Sequence, residues 1–369
     1  MRTRAIALAL AIAAACTFVH AAATEPQATA TADQRTFAGQ IAALSEPAGY
    51  FDTDNLISNE SSYLQVIPEL HERGVHGGAY IGVGPDQNFT YIAQVRPAIA
   101  YIVDIRRDNL LLHLFFKALF QLARSREEYL AMLFGRRLPS TGARRARDLA
   151  VAELAGEIDG RGADPAEIAA VRARVWPMLK RTGVPLSDQD IATITRFHSR
   201  FVEDGLSLQF QSTGRPPQSH YPTYRQLLLD TDAAGRHSNF LASDEAFQFV
   251  KDLQAQDRVV PVVGDLSGPS ALTSIGRALA ARRELVSAFY VSNVEFYLFR
   301  EGAYARFAAN LARVPHQKHS VLIRSVFNGF ISSRTRPGDR SLSRLQSIEE
   351  LLGAFNAGRI QRYADIAGY

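Results

Sequence analysis

The segment Gly82-Val83-Gly84-Pro85-Asp86 carries the strongest chemical signal in this chain. Two glycines at a strand-to-helix turn let the backbone approach a ligand and aim a helix N-terminus at it. Asp104 follows 22 residues after Gly82, the interval at which an acid can accept both hydroxyls of a ribose. Gly82, Gly84, Asp86 and Asp104 therefore outline a nucleoside site. Asp265, in Val263-Gly264-Asp265, is a second acid at the end of an apolar run, and Asn293 and Glu295 follow another in Ser292-Asn293-Val294-Glu295. Glu295 is the candidate general base. Arg106 could clamp an anionic substrate group, and Asn59, Glu60, Ser62 and Tyr63 could form a polar lip over the glycine turn.

Each of these residues also has a plainer reading. Asp104 and Asp265 fit helix caps, as Ser61 or Ser62 does. Asn293 and Glu295 alternate with Val294 and Phe296, as on the polar face of an edge strand, and Arg106-Arg107-Asp108 fits a solvated turn. Other chemistries have less support. His71 and His76 are five apart and do not share a helix face as a four-residue spacing would, and His316 and His319 lack a third ligand, so no metal is expected. No Gly-x-Ser-x-Gly elbow and no Gly-Lys-Ser/Thr phosphate loop occurs, which argues against a hydrolase of that type and an ATPase.

The elements that must position these residues follow from periodicity. A helix is predicted over Ser61 to Arg73, a buried strand over Ala79 to Val83, a helix from Phe89 to Val95 and a second strand over Ala100 to Ile105. Helical patterns then run from Asn109 through Gln254, including Ala146 to Ile158, Pro165 to Lys180 and Asp188 to Glu203. Strands return at Arg258 to Val263, Val286 to Val294 and Ser320 to Phe327, with a helix over Gly268 to Arg282 and two short helices within Leu342 to Tyr363. This order predicts a Rossmann-like doubly wound α/β domain with a mainly parallel sheet. Its parts are 46–109 and 258–369, separated by a large helical insertion, 110–257, between the second and third strands. A parallel crossover needs only about a dozen residues, so the insertion must pack as a lobe or lid.

Over residues 59–109 and 258–327 the chain resembles the class I S-adenosylmethionine-dependent methyltransferases, whose glycine turn and second-strand acid occupy these places. The resemblance implies that Gly82 and Gly84 line the cofactor and that Asp104 binds its ribose. It places Asp265 near the adenine and Asn293 beside the transferred methyl group. The chain departs from the family pattern at Tyr80, where an acid is usual, at Asp86, where a third glycine is usual, and in lacking prolines after Asn293. The implied function is binding of S-adenosylmethionine or a related nucleoside, with methyl transfer to an acceptor. The alternative is a catalytically silent fold that binds a ligand or a protein.

Composition bounds the setting. In 369 residues, 47% hydrophobic and 21% charged side chains are those of a globular domain. A net charge of +4 without a dense basic stripe argues against nucleic acid as the main partner. Arg2 and Arg4, the apolar run Ala5 to Ala15 and the small residues Ala21-Ala22-Ala23 have the layout of a secretory signal peptide, 1–23, followed by a flexible linker over 24–45. Periplasmic or secreted localisation is expected, with lipidation at Cys16 as the less favoured route, since its lipobox lacks the usual branched residue. Cleavage after Ala23 would remove Cys16, the sole cysteine, and with it any disulfide. No later apolar stretch is long enough to predict a transmembrane span.

Overall fold

Short runs of Val, Ile, Tyr and Phe bounded by glycine, proline and acids make the central strands of a six-stranded sheet. In this computed structural model, which describes residues 36–138, 149–215, 218–327, 336 and 338–367, the strands are β1 (Ala79–Val83), β2 (Ile99–Asp104), β3 (Val259–Val263), β4 (Val286–Ser292), β5 (His316–Phe327) and β6 (Ser341–Ser347). Their order is β3-β2-β1-β4-β5-β6. All pairings are parallel except β5 with β6. β1, β2 and β3 are buried almost throughout, as strands covered on both faces must be. β1 lies between β2 and β4, so the strand order reverses there and a crevice opens at the carboxyl ends of the strands.

The helices are α1 (Phe37–Leu44), α2 (Ile67–Glu72), α3 (Gln87–Val95), α4 (Arg107–Leu122), α5 (Arg126–Phe134), α6 (Val151–Asp159), α7 (Pro165–Arg181), α8 (Asp188–Asp204), α9 (Tyr224–Leu229), α10 (Asp244–Ala255), α11 (Ala271–Arg282), α12 (Val294–Arg300), α13 (Tyr304–Leu311), α14 (Ile348–Asn356) and α15 (Ala364–Ala367). The chain is thus a Rossmann-like α/β fold with a large helical insertion between β2 and β3. Within the insertion, α4 packs on β2 and β3 and also meets α7, α8 and α10. Ser187 caps α8 in a reciprocal box with Asp190. The same Asp190 receives the Arg107 guanidinium at 2.9 and 3.0 Å, which ties the lobe to the start of α4, just past Asp104.

Several elements depart from the periodicity reading. The helix predicted from Ser61 begins only at Ile67. Pro68 suits a first turn, where its missing N–H is not needed, and upstream the Ser62 amide and hydroxyl are engaged with Ser341. The expected linker contains α1, whose Phe37, Ile41 and Leu44 are buried as it packs on β3 and α11. The signal peptide, Cys16 and linker residues before Thr36 lie outside the described residues. The tail predicted as two short helices begins instead with β6, antiparallel to β5. β4 stops at Ser292, where φ is +53°, and the chain turns into α12. Asn293 and Glu295 therefore do not sit on an edge strand, because β4 is central.

Candidate functional site

The glycine turn is built around Asn88. Its amide nitrogen donates to the carbonyls of Val83, Gly84 and Pro85 at 2.9, 3.2 and 2.7 Å, and its oxygen accepts from the Tyr80 hydroxyl at 2.8 Å. The tyrosine that stands where the methyltransferase pattern has an acid is thus turned inward to brace the turn. A Cβ on Gly82 would lie 1.9 Å from the Asn88 oxygen and 2.7 Å from the Tyr80 ring. Gly82 makes room for Asn88 and does not line the cleft, contrary to its expected cofactor role. Gly84, at φ +83°, does line it. His113 of α4 donates to the Gly84 carbonyl at 2.9 Å, and burial pushes its imidazole down to about 4. We expect Gly82→Ala to destabilise the protein by about 2–3 kcal/mol through overpacking. An unchanged urea midpoint would remove this account of the turn.

Asp104 ends β2 inside the cleft, held by Arg106. The Arg106 backbone N–H reaches Oδ1 at 2.9 Å, and the guanidinium reaches both oxygens, at 3.2 and 3.0 Å. Its remaining nitrogen donates to the carbonyls of Thr53 and Asp54. Arg106 is therefore folded back as a brace between β2 and the 53–55 loop, not extended as an anion clamp. Asn55, at φ +47°, adds a long 3.5 Å contact to Asp104.

Asp265 caps Ser267 through one oxygen, at 2.8 Å from the amide and 3.1 Å from the hydroxyl. Its other oxygen has no hydrogen-bond partner among the described residues. Beside it, the Glu46 carboxylate accepts from the amides of Ser270 and Ala271, both at 2.6 Å, and so occupies the N-terminus of α11.

At the β4 side, the Ser292 and Ser325 hydroxyls donate to the two oxygens of Glu60. Glu60 is fully buried, yet it borders the cleft, and burial raises its carboxyl despite those donors. Asn59 and Asn293 line the cleft with it. Glu295 does not, because its carboxylate is paired with Arg324 at 2.6 and 3.2 Å with both side chains buried. Tyr63 and Asp86 also miss the cleft. They border a small separate cavity with Tyr224, where the Tyr63 hydroxyl donates to Leu227 and accepts from Asn239.

The cleft has an empty volume of about 1200 Å3, its open mouth included. That is room for a ligand of nucleoside size or larger. Phe210, Ser212, Arg215 and Tyr221 reach it from the lobe, while Phe51 and Asp52 come from the loop between α1 and α2. A bridge between Thr53 and Ser212 joins these walls, and Arg215 pairs with Asp52 across them. Among the described residues, no three His, Cys, Asp or Glu side chains form a metal-binding group, and no helix is long and apolar enough to cross a membrane.

The family described as "Domain of unknown function (DUF7790)" matches residues 55–140 and 213–356, well over half of the chain. The chain belongs to the DUF7790 family. None of the curated proteins matches it. Asn55, Glu60, Gly84, Asp104, Asp265, Asn293 and Tyr297 all fall within the matched stretches, so most of the cleft is built by the DUF7790 domain itself. Helices α6, α7 and α8 fall between the two stretches. Sequence reasoning missed Asn55, Gln87 and Tyr297 as lining residues and weighed Glu60 only as part of a polar lip; Ser58-Asn59-Glu60-Ser61 was the signal available. No local pattern marks Phe210 or Arg215, whose place depends on the lobe.

Proposed function

We propose that the cleft binds S-adenosylmethionine or a closely related cationic nucleoside, and that the protein transfers the methyl group to an acceptor entering on the β4 side. The supporting observation is the charge of a cleft that lies where the strand order reverses. Five carboxylates line it (Asp52, Glu60, Asp104, Asp265 and Glu301), against two guanidiniums, Arg106 and Arg215. Both guanidiniums are already paired, with Asp104 and Asp52, and Glu301 pairs with Arg300, which leaves Glu60 and Asp265 as the lining carboxylates without a cationic partner among the described residues. The N-terminus of α11, which could take a phosphate, is occupied as well, by Glu46. A carboxylate about 4 Å from a unit charge contributes roughly 4 kcal/mol at an effective dielectric of 20, attractive for a sulfonium and repulsive for a phosphate. This balance disfavours a phosphorylated dinucleotide and suits a sulfonium nucleoside.

In this reading the Gly84 turn passes beneath the ligand, and a ribose hydroxyl replaces the long Asn55 contact on Asp104. The free oxygen of Asp265 accepts from the base. Asn293 faces the acceptor, and Glu60 takes the place expected for Glu295 as the carboxylate nearest to it. The sulfonium is already activated, so orientation of the two reactants is the protein's main contribution. If the chain is exported, its cofactor is met outside the cytoplasm.

Thermal unfolding with S-adenosylmethionine and S-adenosylhomocysteine tests this directly. Ligand at a hundredfold excess over its dissociation constant should add about 2.7 kcal/mol of stability. The gain should disappear in Asp265→Ala and shrink in Asp104→Asn. Absence of stabilisation by either compound would reject the nucleoside reading.

A further inference from the structure

Serines stand where the sheet would be expected to bury apolar groups. Ser292 ends β4, Ser325 lies in β5, and Ser341 and Ser343 lie in β6; the last three are buried, as is Ser62. They converge on Glu60, whose carboxylate is fully buried and has no cationic partner among the described residues. Ser292 and Ser325 donate to it, and each has a second acceptor to turn to. The Ser292 hydroxyl is 3.4 Å from the Asn293 side-chain oxygen, and the Ser325 hydroxyl is 3.3 Å from that of Ser343. Ser343 continues to Ser62 at 3.2 Å, and Ser62 to Ser341 at 2.7 Å. When Glu60 is ionised, both serines point at it. When it holds a proton, it donates to one serine, whose own hydrogen swings to the second acceptor, so neither state leaves the carboxyl unpaired. Burial without a counter-charge favours the protonated state.

Ser292 connects this acid to the cleft. Glu60 has no exposed surface, whereas Ser292 is partly exposed and lines the cleft beside Asn293. The chain holds Ser292 at φ +53°, a costly conformation for serine, at the point where β4 meets the cleft and the hydroxyl meets Glu60. Glycine would adopt it without strain but has no hydroxyl.

We propose that Ser292 and Glu60 form a proton-accepting pair at the β4 end of the cleft, and that the acceptor group is a neutral hydroxyl. The hydroxyl acceptor rests on the methyl-transfer reading; the pair itself rests on the serine geometry. Glu60 holds a proton in the empty cleft and releases it when a sulfonium binds, because a nearby cation favours the carboxylate. In the transfer, a lone pair of the acceptor oxygen forms the bond to the methyl carbon, and the carbon–sulfur bond breaks with its electron pair left on sulfur. The acceptor's proton passes to the Ser292 oxygen as the Ser292 hydrogen passes to Glu60. The products are a methyl ether, a neutral thioether and protonated Glu60, so the two opposite charges vanish together. An amine does not suit this site, since it arrives as an ammonium ion with no lone pair. An anion finds no free guanidinium, because Arg106 and Arg215 are paired. The other titratable groups facing Glu60 are Tyr80 of β1, Tyr91 of α3, Tyr290 of β4 and Tyr363 before α15. Burial holds all four above the usual tyrosine value, so they stay neutral.

Calorimetric titration of the full chain with S-adenosylmethionine and S-adenosylhomocysteine, in two buffers of different ionisation heat from pH 5 to 8, counts the protons exchanged. The sulfonium compound should release more protons than the thioether, approaching about one per chain where the empty-cleft acid is protonated. Glu60→Gln should bind both compounds and lose this excess. Ser292→Ala removes a donor to the carboxylate and should move the excess to higher pH, which loss of a merely structural serine would not do. Equal proton counts for the two compounds, or an excess that survives Glu60→Gln, overturns the pair and leaves nucleoside binding standing. If neither compound binds, the nucleoside reading falls with the hydroxyl acceptor, and infrared spectra of the ligand-free chain decide the pair. The parent minus Glu60→Gln difference should show a carboxylic-acid carbonyl band that fades as pH rises, with Asp86 common to both and cancelling. Ser292→Ala should move its midpoint upward. A flat difference overturns the pair.

Discussion

Replacing Asp86 by asparagine should make the protein more stable than the parent at pH 8, by on the order of 3 kcal/mol, and leave it no more stable near pH 4. Asp86 is only 6% exposed, with the Tyr224 hydroxyl as its one side-chain donor, and burial pushes its carboxyl up to about 7. In the unfolded chain the same group titrates near 3.8. Below that value both states hold the proton, and the burial carries no electrostatic penalty. As pH rises, the unfolded chain releases its proton first, so stability falls by about 1.4 kcal/mol per unit until the folded group ionises. Asparagine mimics the protonated carboxyl and cannot ionise. The N-terminus of α3 favours a negative charge by roughly 0.3–1 kcal/mol, too little to reverse the sign. His113 and His198, both pushed down to about 4 by burial, act in the opposite sense and lose stability as pH falls from about 6.5. They are common to both proteins and cancel in the difference. Urea unfolding of the pair from pH 4 to 8 measures it, and parallel curves would mean that Asp86 is not buried as a neutral acid.

Where sequence reading succeeded, a strand end did the positioning. β1, β2 and β3 are continuous apolar runs, and the acid that follows such a run leaves little freedom in where Asp104 and Asp265 stand. Gly84 follows from the same logic, as the first residue past β1. The failures lie where one torsion or one distant contact decides. A single positive φ at Ser292 converts an expected strand into α12 and turns Glu295 toward Arg324. β6 was missed because Ser341 and Ser343 direct hydroxyls inward, toward Ser62 and Ser325, where a strand pattern would place apolar groups. Asp86 and Tyr63 face the lobe because α9 and its Tyr224 close over them, a packing that no local period reveals. The wall made by Arg215 depends on a bridge between segments more than 150 positions apart, as the 157-residue separation of Asp54 and Gln211 shows.

The buried pair Glu295–Arg324 gives the other large expected effect, and it bears on whether Glu295 is a base. Arg324 is 2% exposed and Glu295 1%. The guanidinium meets the carboxylate at 2.6 and 3.2 Å and also donates to the Ile366 carbonyl at 3.4 Å, while the Tyr304 hydroxyl donates to Glu295 at 3.3 Å. Burial alone would lower the Arg324 pKa; the adjacent carboxylate more than reverses this and holds it above the usual arginine value. Glu295→Ala leaves that guanidinium buried without a counter-charge and should cost about 3–5 kcal/mol. Arg324→Met strands the carboxylate and should cost a similar amount. Combining Glu295→Gln with Arg324→Met removes both charges, keeps the volumes close, and should recover most of the loss, because desolvating a buried pair offsets much of its attraction. A catalytic base would behave differently: its removal would spare stability, and no second change at Arg324 would rescue it. Urea unfolding of the single and double variants therefore separates the two roles. Single-variant losses within about 1 kcal/mol would return Glu295 to the cleft as a functional candidate, whereas the expected coupling assigns it to holding α12 on β5.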